Sequence, residues 1–371
     1  MMIKKVLVLT LTLIFAVSAF SQTLEENLGS MLSTNAEMYL QPLGDAFGAS
    51  MNSGWYHRAK VHKMLGFDVS VKMLVSAVPD EGQFFNFVLN ENVNEFDLSG
   101  IINGVAPIEL TFADIYKDTD TRTPTFFGPA DSAGLLVVAD DHLKTLFRDH
   151  LVSELTSQLG NAALAQAAYD NANGDAEIAN FVGQLEDVPL PPGIGLAALP
   201  LPMPQISLGL PMGIELTVRG FPESDLGDIG KFSMYGGGVR VNIDQFIPIP
   251  MFPVDITAGA FYSQMSIGDI IESSNTQVSL QVGKSLNLLI FGVGIYADAA
   301  YETSSLSIGY DVDPSFGIEN DRIQFDMTPD PGMRVGAGLH LTLIPLTYIN
   351  LHVSQTPTNS VATAAFGITL R

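Results

Sequence analysis

Gln205-Ile206-Ser207-Leu208-Gly209-Leu210-Pro211-Met212-Gly213-Ile214-Glu215-Leu216-Thr217-Val218-Arg219-Gly220-Phe221 carries an apolar residue at every even position from Ile206 to Val218. The odd positions hold Ser207, Gly209, Pro211, Gly213, Glu215, Thr217 and Arg219. Successive side chains of an extended chain point to opposite faces, so the stretch reads as strand with one apolar and one hydrophilic face. It is longer than the roughly 5–6 residues usual in soluble sheets. A tilted membrane-crossing strand takes about 9–11 residues.

The same alternation recurs on both sides of it. Phe67, Val69, Val71, Met73, Val75 and Ala77 share a face, with Leu74 as the exception on the other. Val278, Leu280 and Val282 oppose Gln277, Ser279 and Gln281, and Ile349, Leu351 and Val353 oppose Asn350, His352 and Ser354. Met333 to Leu343 and Ala362 to Leu370 repeat the pattern. The expected fold is all-β: a transmembrane antiparallel β-barrel of 12–14 strands, with an N-terminal plug segment and a helical insert. The strand number turns on two places. Apolar positions are odd from Leu289 to Tyr301 and even from Leu306 to Tyr310. A bulge there with Ile318–Met327 as loop gives 12 strands, a turn there with that segment paired gives 14, and the mixed cases give 13, which the even numbers of bacterial barrels disfavour.

Composition points the same way. Charged residues make up only 15% of the 371, against about 25% in soluble domains. Mean hydropathy is +0.26. Beyond the first residues no apolar run reaches the roughly 20 needed for a helical span. The remaining way to satisfy every backbone group in lipid is a closed barrel. A formal charge of -23 excludes a nucleic-acid partner. The absence of cysteine excludes thiol nucleophiles, iron–sulfur clusters, disulfides and a lipid-modified start.

Met1 to Ser21 reads as a secretory signal: Lys4 and Lys5, an apolar run from Val6 to Val17, then small residues at Ser18-Ala19-Phe20-Ser21. Residues 22–63 form an N-terminal segment, helical over Thr23–Leu40 and irregular from Gln41 to Lys63. Residues 64–371 form the barrel, interrupted by 131–204. Within the interruption Leu143, Leu146, Phe147, His150, Leu151 and Leu155 recur at helical spacing. Pro189 to Pro204 reads as an extended linker, since proline withholds an N–H. Short strands are predicted near 84–90, 95–102 and 107–116.

No motif supports catalysis. Gly283-Lys284-Ser285 lacks the first glycine of a phosphate loop, because Val278 stands there. Gly-x-Ser-x-Gly and His-Glu-x-x-His are both absent. No catalytic residue, cofactor or metal is expected. Two groups of charges stand out. His57, Arg58, Lys60, His62 and Lys63 cluster in an acidic chain, either to hold a carboxylate or phosphate or as a solvated rim. Asp68, Lys72, Glu215, Arg219, Arg240, Asp244, Asp298 and Arg334 fall on the hydrophilic face. They either line a solute path or fill the lumen with ion pairs.

Pro-Leu-Gly-Asp-Ala-Phe-Gly at 42–48, Met-Asn-Ser-Gly-Trp-Tyr at 51–56, Pro-Thr-Phe-Phe-Gly at 124–128 and Pro-Gln-Ile-Ser-Leu-Gly-Leu-Pro at 204–211 stand in order between the signal and the last strands. Together they resemble an uncharacterised outer-membrane β-barrel family of the Bacteroidota. That family is distantly similar to the outer-membrane transporters of long-chain fatty acids and aromatic hydrocarbons. Those transporters carry an N-terminal hatch and a wall that releases apolar ligands sideways. By resemblance, Thr23 to Lys63 is the hatch. Asn52-Ser53-Gly54 stands near where the transporters have Asn-Pro-Ala, and Arg371 stands where barrels usually end on an aromatic residue.

The expectation is therefore an outer-membrane channel or carrier for small hydrophobic solutes, working without covalent chemistry. Its partners would be the outer-membrane bilayer, a small apolar solute and a protein docking on 131–204. The candidate ligand-binding residues are Trp55, Tyr56, His57 and Arg58 of the hatch with Arg219, Arg240 and Arg334 of the lumen. The alternatives are a structural or secretion-accessory barrel and a soluble exported β-protein.

Overall fold

The computed structural model describes residues 33–89, 93–116, 121–225, 231–248, 253–287, 291–311, 322–328, 332–344 and 346–370. The expected signal segment and residues 23–32 of the expected helix lie outside them. Among the described residues, ten antiparallel strands close into a ring. They are β1 (Phe67–Ala77), β2 (Ala198–Leu210), β3 (Ile214–Asp225), β4 (Lys231–Asn242), β5 (Asp255–Ile267), β6 (Ile271–Asn287), β7 (Gly292–Asp311), β8 (Gly332–Ile344), β9 (Thr347–Gln355) and β10 (Ser360–Leu370). Each pairs with its neighbour in the chain, and β1 pairs with β10 from Phe67↔Leu370 to Ala77↔Ser360.

The faces are inverted relative to a soluble sheet. Val69, Ile206, Val218, Val278, Ile295 and Val353 are exposed, while Asp68, Lys72, Glu215, Arg219, Arg240 and Arg334 are buried. The apolar residues therefore cover the outside of the ring and the charges point into it. This excludes the soluble-sheet alternative for the alternating strands, in which those aliphatic residues would pack against a second layer.

The count is ten, not twelve to fourteen. The predicted strands near 84–90, 95–102 and 107–116 do not enter the ring. They contribute Phe84–Asn86, Val93–Phe96 and Ile108–Thr111 to two-stranded sheets elsewhere. The change of apolar phase between Tyr301 and Leu306 is neither a bulge nor a turn. β7 runs straight through it, paired with β6 without a shift from Gly292↔Asn287 to Ile308↔Ile271. Even positions point inward throughout, and Leu306 and Ile308 are buried there. Arg322–Met327 pairs with the end of β7 on the same edge as β8, so it prolongs β8's place in the wall and adds no eleventh position to the ring.

The deciding stretch is itself two strands. A turn at Pro211–Gly213, with positive φ at Met212 (62°) and Gly213 (69°), separates β2 from β3. Leu210 pairs with Ile214, so even residues face outward on both sides of the turn. A three-residue turn preserves parity, which is why the alternation passes through it unbroken.

Wall glycines make room for rings. Tyr296 lies opposite Gly338, Tyr348 opposite Gly367 and Phe261 opposite Gly238. In each pair a Cβ on the glycine would collide with the aromatic side chain. The small residues of the hydrophilic face are thus partners of inward rings across the ladder.

One seam in the wall is incomplete. β2 pairs with β1 along 198–208 but with β3 only along 205–210. Beyond Arg219, β3 continues with β4 as far as Asp225↔Lys231. Residues 198–204 thus have no paired strand on their β3 side among the described residues. The expected linker over Pro189–Pro204 becomes strand here. Gly209 exchanges hydrogen bonds with residues 65 and 66, so odd residues of β2 turn their polar groups toward β1. Even residues face the other way. Pro200, Pro202 and Pro204 therefore place their nitrogens on the open side, where a missing N–H breaks no ladder.

Inside the ring runs α1 (Ser33–Met51). It ends eleven residues beyond the predicted Leu40, through Pro42. Proline inside a helix costs about 3 kcal/mol. Here Leu43, Ala46, Ala49 and Met51 are buried within the ring, and all-round burial outweighs the lost backbone bond. Gly44 faces Leu306 and Met327, and Gly48 faces Ser304, so the helix lies against β7. Leu306 and Ile308 are apolar because they receive this helix, and Leu74 is apolar because it meets Gly54.

Residues 84–124 and 129–193 form a separate compact unit. It contains α2 (Asp140–Leu159), α3 (Ala162–Asn171) and α4 (Gly174–Val182). Leu143, Phe147, Leu151 and Leu155, spaced by four, form one stripe of its core, with Ile178 and Val182 against it. Gly160 ends α2 in the left-handed region, and the Asn161 side chain caps α3 by accepting from the N–H groups of Ala163 and Leu164. The excursion from the ring runs from Val78 to Ala197, where interruption was expected over 131–204.

Candidate functional site

Residues 52–65 follow α1 without regular structure, yet Asn52 to His57 are buried. Their backbone groups need partners inside the ring. The wall supplies them strand by strand. Gln205 of β2 donates to the Trp55 carbonyl at 2.9 Å, and Asn350 of β9 to that of His57 at 3.1 Å. Thr257 of β5 donates to Ala59 at 2.6 Å, and Arg240 of β4 to Arg58 at 2.6 Å. An eight-stranded ring is about filled by its own side chains; a ten-stranded one leaves room for a chain segment.

Cations meet the end of α1. Arg334 donates to the Ala49 carbonyl at 2.7 Å and to the Ser53 hydroxyl. Arg219 donates to the carbonyls of Ser53, at 2.8 Å, and Met51. Lys72 donates to the Gly54 carbonyl. Helix C-termini leave carbonyls unpaired and carry partial negative charge, which basic side chains complement. Gly54 has φ +73°, and a Cβ there would strike Leu74, so only glycine fits this bend comfortably.

Two of these arginines are also ion-paired. Arg240 meets Glu215 at 2.9 Å, and Arg334 meets Glu302 at 2.7 Å. A buried charge left unpaired is strongly unfavourable, so these pairs hold the wall to itself as well as to the plug.

Aromatic contacts fill the rest. Trp55 stacks on Phe261 with centroids 4.7 Å apart, and the Arg219 guanidinium lies over the indole. Tyr56 donates from its hydroxyl to Asp298 at 2.7 Å, and burial followed by that carboxylate holds its pKa well above the usual phenol value. His57 stacks on Tyr348 at 4.5 Å and lies 5.0 Å from His340. Burial, then His340, Arg58, His62 and Lys72, hold the His57 pKa well below its ordinary value.

All seven candidate residues come together at this plug–wall boundary. His57 and His62 are buried, which overturns the solvated-rim reading for them; Lys60 and Lys63 are exposed. His62 bonds Glu215 at 2.7 Å, and Lys60 meets Asp255 at 3.1 Å. Among the wall charges, the ion-pair reading describes Glu215 with Arg240, Arg334 with Glu302, and Asp298 with His352. Asp244 lies in the short turn after β4 instead of on the wall. Sequence reasoning missed Gln205, Phe261, Glu302 and Asn350. Their only signal was an inward position on a strand, which many neutral residues share. Among the described residues no group of three His, Cys, Asp or Glu is placed to hold a metal ion. His150 of α2 bonds the Ala106 carbonyl at 2.8 Å.

The sequence matches the model of a family of unknown function, DUF6588, over residues 2–371. No curated protein matches it. Among solved structures, the N-terminal β-barrel domain of OprF from Pseudomonas aeruginosa is similar at 13% identity. That match covers 42% of this chain and 96% of that one, with a TM-score of 0.22. The KdgM porin, solved with disordered oligogalacturonate, is similar at 9% identity, covering 46% and 93%, with a TM-score of 0.23. The transport unit of the autotransporter AIDA-I from Escherichia coli is similar at 8% identity, covering 89% and 99%, with a TM-score of 0.26.

Proposed function

Because the chain belongs to the family of unknown function DUF6588, its role must be read from its own residues, and we propose a plugged channel or carrier of the bacterial outer membrane for small hydrophobic solutes. The open seam between β2 and β3 carries this reading. Parting the wall along 198–204 breaks no strand pairing, and proline has removed the donors that would be costly to leave bare in lipid. An apolar solute can leave through such a gap without crossing a polar opening.

Two features support it. The apolar outer face suits lipid, and a ring closed by the pairing of β1 with β10 suits a membrane because strand pairing satisfies backbone groups that lipid cannot. The plug is held by hydrogen bonds to its carbonyls, and such contacts exchange without covalent chemistry.

Fractionation of cells comes first: the mature chain is expected in the membrane fraction, and a soluble product rejects the reading. Transport is then measured in liposomes with a small apolar dye. Cysteines at the exposed Pro200 and Pro222, joined by a bifunctional maleimide, lock the seam. Transfer of dye into the bilayer is expected to stop on locking and to return when a cleavable linker is cut. Equal transfer with the seam locked and free rejects the lateral route.

A second reading, a secretion-accessory or structural barrel, draws on the separate core of residues 84–124 and 129–193. Absence of any permeation from liposomes favours it.

A further inference from the structure

Lys72 on β1, Arg219 on β3 and Arg334 on β8 are far apart in sequence, yet all three donate to the short stretch from Ala49 to Gly54. Their charge is only partly balanced, with the buried Asp68 acting on Lys72 from beyond ion-pair distance. Glu302 neutralises Arg334. Among the described residues no carboxylate lies within ion-pair distance of Lys72 or Arg219. The chain has 40 acidic residues and 17 lysines and arginines, so bare buried cations are not forced by composition.

What faces these cations is a set of carbonyl oxygens. A helix end supplies about half a negative charge, which leaves the pair under-neutralised. The Arg219 Nε is buried with no partner, a further donor without an acceptor. Arginine and lysine donors bond an anionic oxygen more strongly than a neutral carbonyl. The plug carbonyls thus occupy positions that an oxyanion would fill better.

We infer that Lys72, Arg219 and Arg334 form an oxyanion site masked by the end of α1, for a solute bearing a carboxylate or phosphate, whose binding displaces the plug. The inference rests on the plugged-channel reading and narrows its solute to one with an anionic group. Occupancy and plug position are linked: a solute that binds only the unmasked cations shifts the population toward the open plug.

Trp55 is the single tryptophan and reports on the plug directly. The full chain in non-ionic detergent is titrated with potassium phosphate and with potassium octanoate, at ionic strength held constant with potassium chloride. Emission and acrylamide quenching are followed. The expected result is a saturable red shift with a severalfold rise in the quenching constant. Arg219→Gln and Lys72→Gln are each expected to weaken the apparent affinity about tenfold or more, the loss of one charge-assisted contact. Arg219→Lys, which keeps the charge, is expected to retain most of it. Heat-modifiable gel mobility establishes that each variant is folded, and Lys72→Gln serves alone if Arg219→Gln is not.

Response to octanoate alone assigns an amphiphilic carboxylate; response to phosphate alone assigns a phosphate-bearing solute; response to both assigns the site to oxyanions generally. No response to either, or one unchanged in both glutamine variants, overturns the inference. The titration needs no membrane, so failure of dye transport leaves its outcome standing, and its failure leaves the seam untouched.

Discussion

The Arg219 guanidinium carbon sits 3.3 Å from the centroid of the Trp55 indole, while the same arginine donates to the Ser53 carbonyl two residues earlier. One wall side chain therefore fixes both the backbone and the largest side chain of the plug. A desolvated cation–π contact and a charge-assisted hydrogen bond are each worth about 1–3 kcal/mol. Arg219→Met is expected to weaken plug docking by about 2–4 kcal/mol without opening the ring. The checks are Trp55 quenching for the plug and unheated gel mobility for the barrel; loss of both together would show that the arginine holds the wall instead.

The Gly338–Tyr296 pair tests the fit of rings to the wall. A side chain at 338 collides with the Tyr296 ring. Gly338→Val is expected to destabilise the barrel by about 1–3 kcal/mol through overpacking. Thermal melting of the folded gel band measures it, and Tyr296→Ala in the same chain is expected to restore part of the loss.

The prolines of β2 make a sharper contrast. Pro200, Pro202 and Pro204 lend no donor to the pairing with β1, so replacing Pro202 with alanine is expected to change stability by less than about 1 kcal/mol. Leu208 turns its N–H toward β3, opposite Leu216. Leu208→Pro is expected to cost about 3 kcal/mol or more. Similar melting of the two variants would contradict the assignment of the open side.

Acid is expected to loosen the plug. The His57 pKa is depressed in the folded protein, so its contribution is complete above the ordinary histidine value of about 6.5 and is lost as pH falls below it. Arg58, Lys72, His62 and His340 all oppose a proton on this ring, and Asp68, at 4.0 Å, is the nearby counter-charge. Acrylamide quenching of Trp55 from pH 7.5 to 5 is expected to rise in the native chain and to stay flat in His57→Phe. An equal rise in both assigns the acid response elsewhere.

How much of this was legible depended on what each inward residue touches. Alternation at Ile206–Val218 and Met333–Leu343 disclosed strands and their faces because lipid asks the same of every outward residue. Leu306 and Ile308 broke the pattern because a helix distant in sequence lies against them, and no local window contains that helix. Pro200, Pro202 and Pro204 read as a linker because residue type alone does not tell which side of a strand lacks a partner. The seven site residues were found as a set of unusual charges and rings. Their roles as holders of carbonyls were not legible, since backbone acceptors leave no mark in composition.

The pairing of β1 with β10 has a consequence for biogenesis. Eleven residue pairs, Phe67↔Leu370 to Ala77↔Ser360, join the first and last strands of the ring. The stretch that lies inside the ring ends immediately before β1. Threading Trp55, Tyr56 and a folded helix into a finished cylinder would require passage through a lumen already narrowed by the inward rings of Tyr296, Tyr348 and Phe261. The simpler order is that an open, curved sheet forms around the N-terminal segment and the terminal strands zip last, so the stopper acts as the mandrel on which the cylinder is rolled.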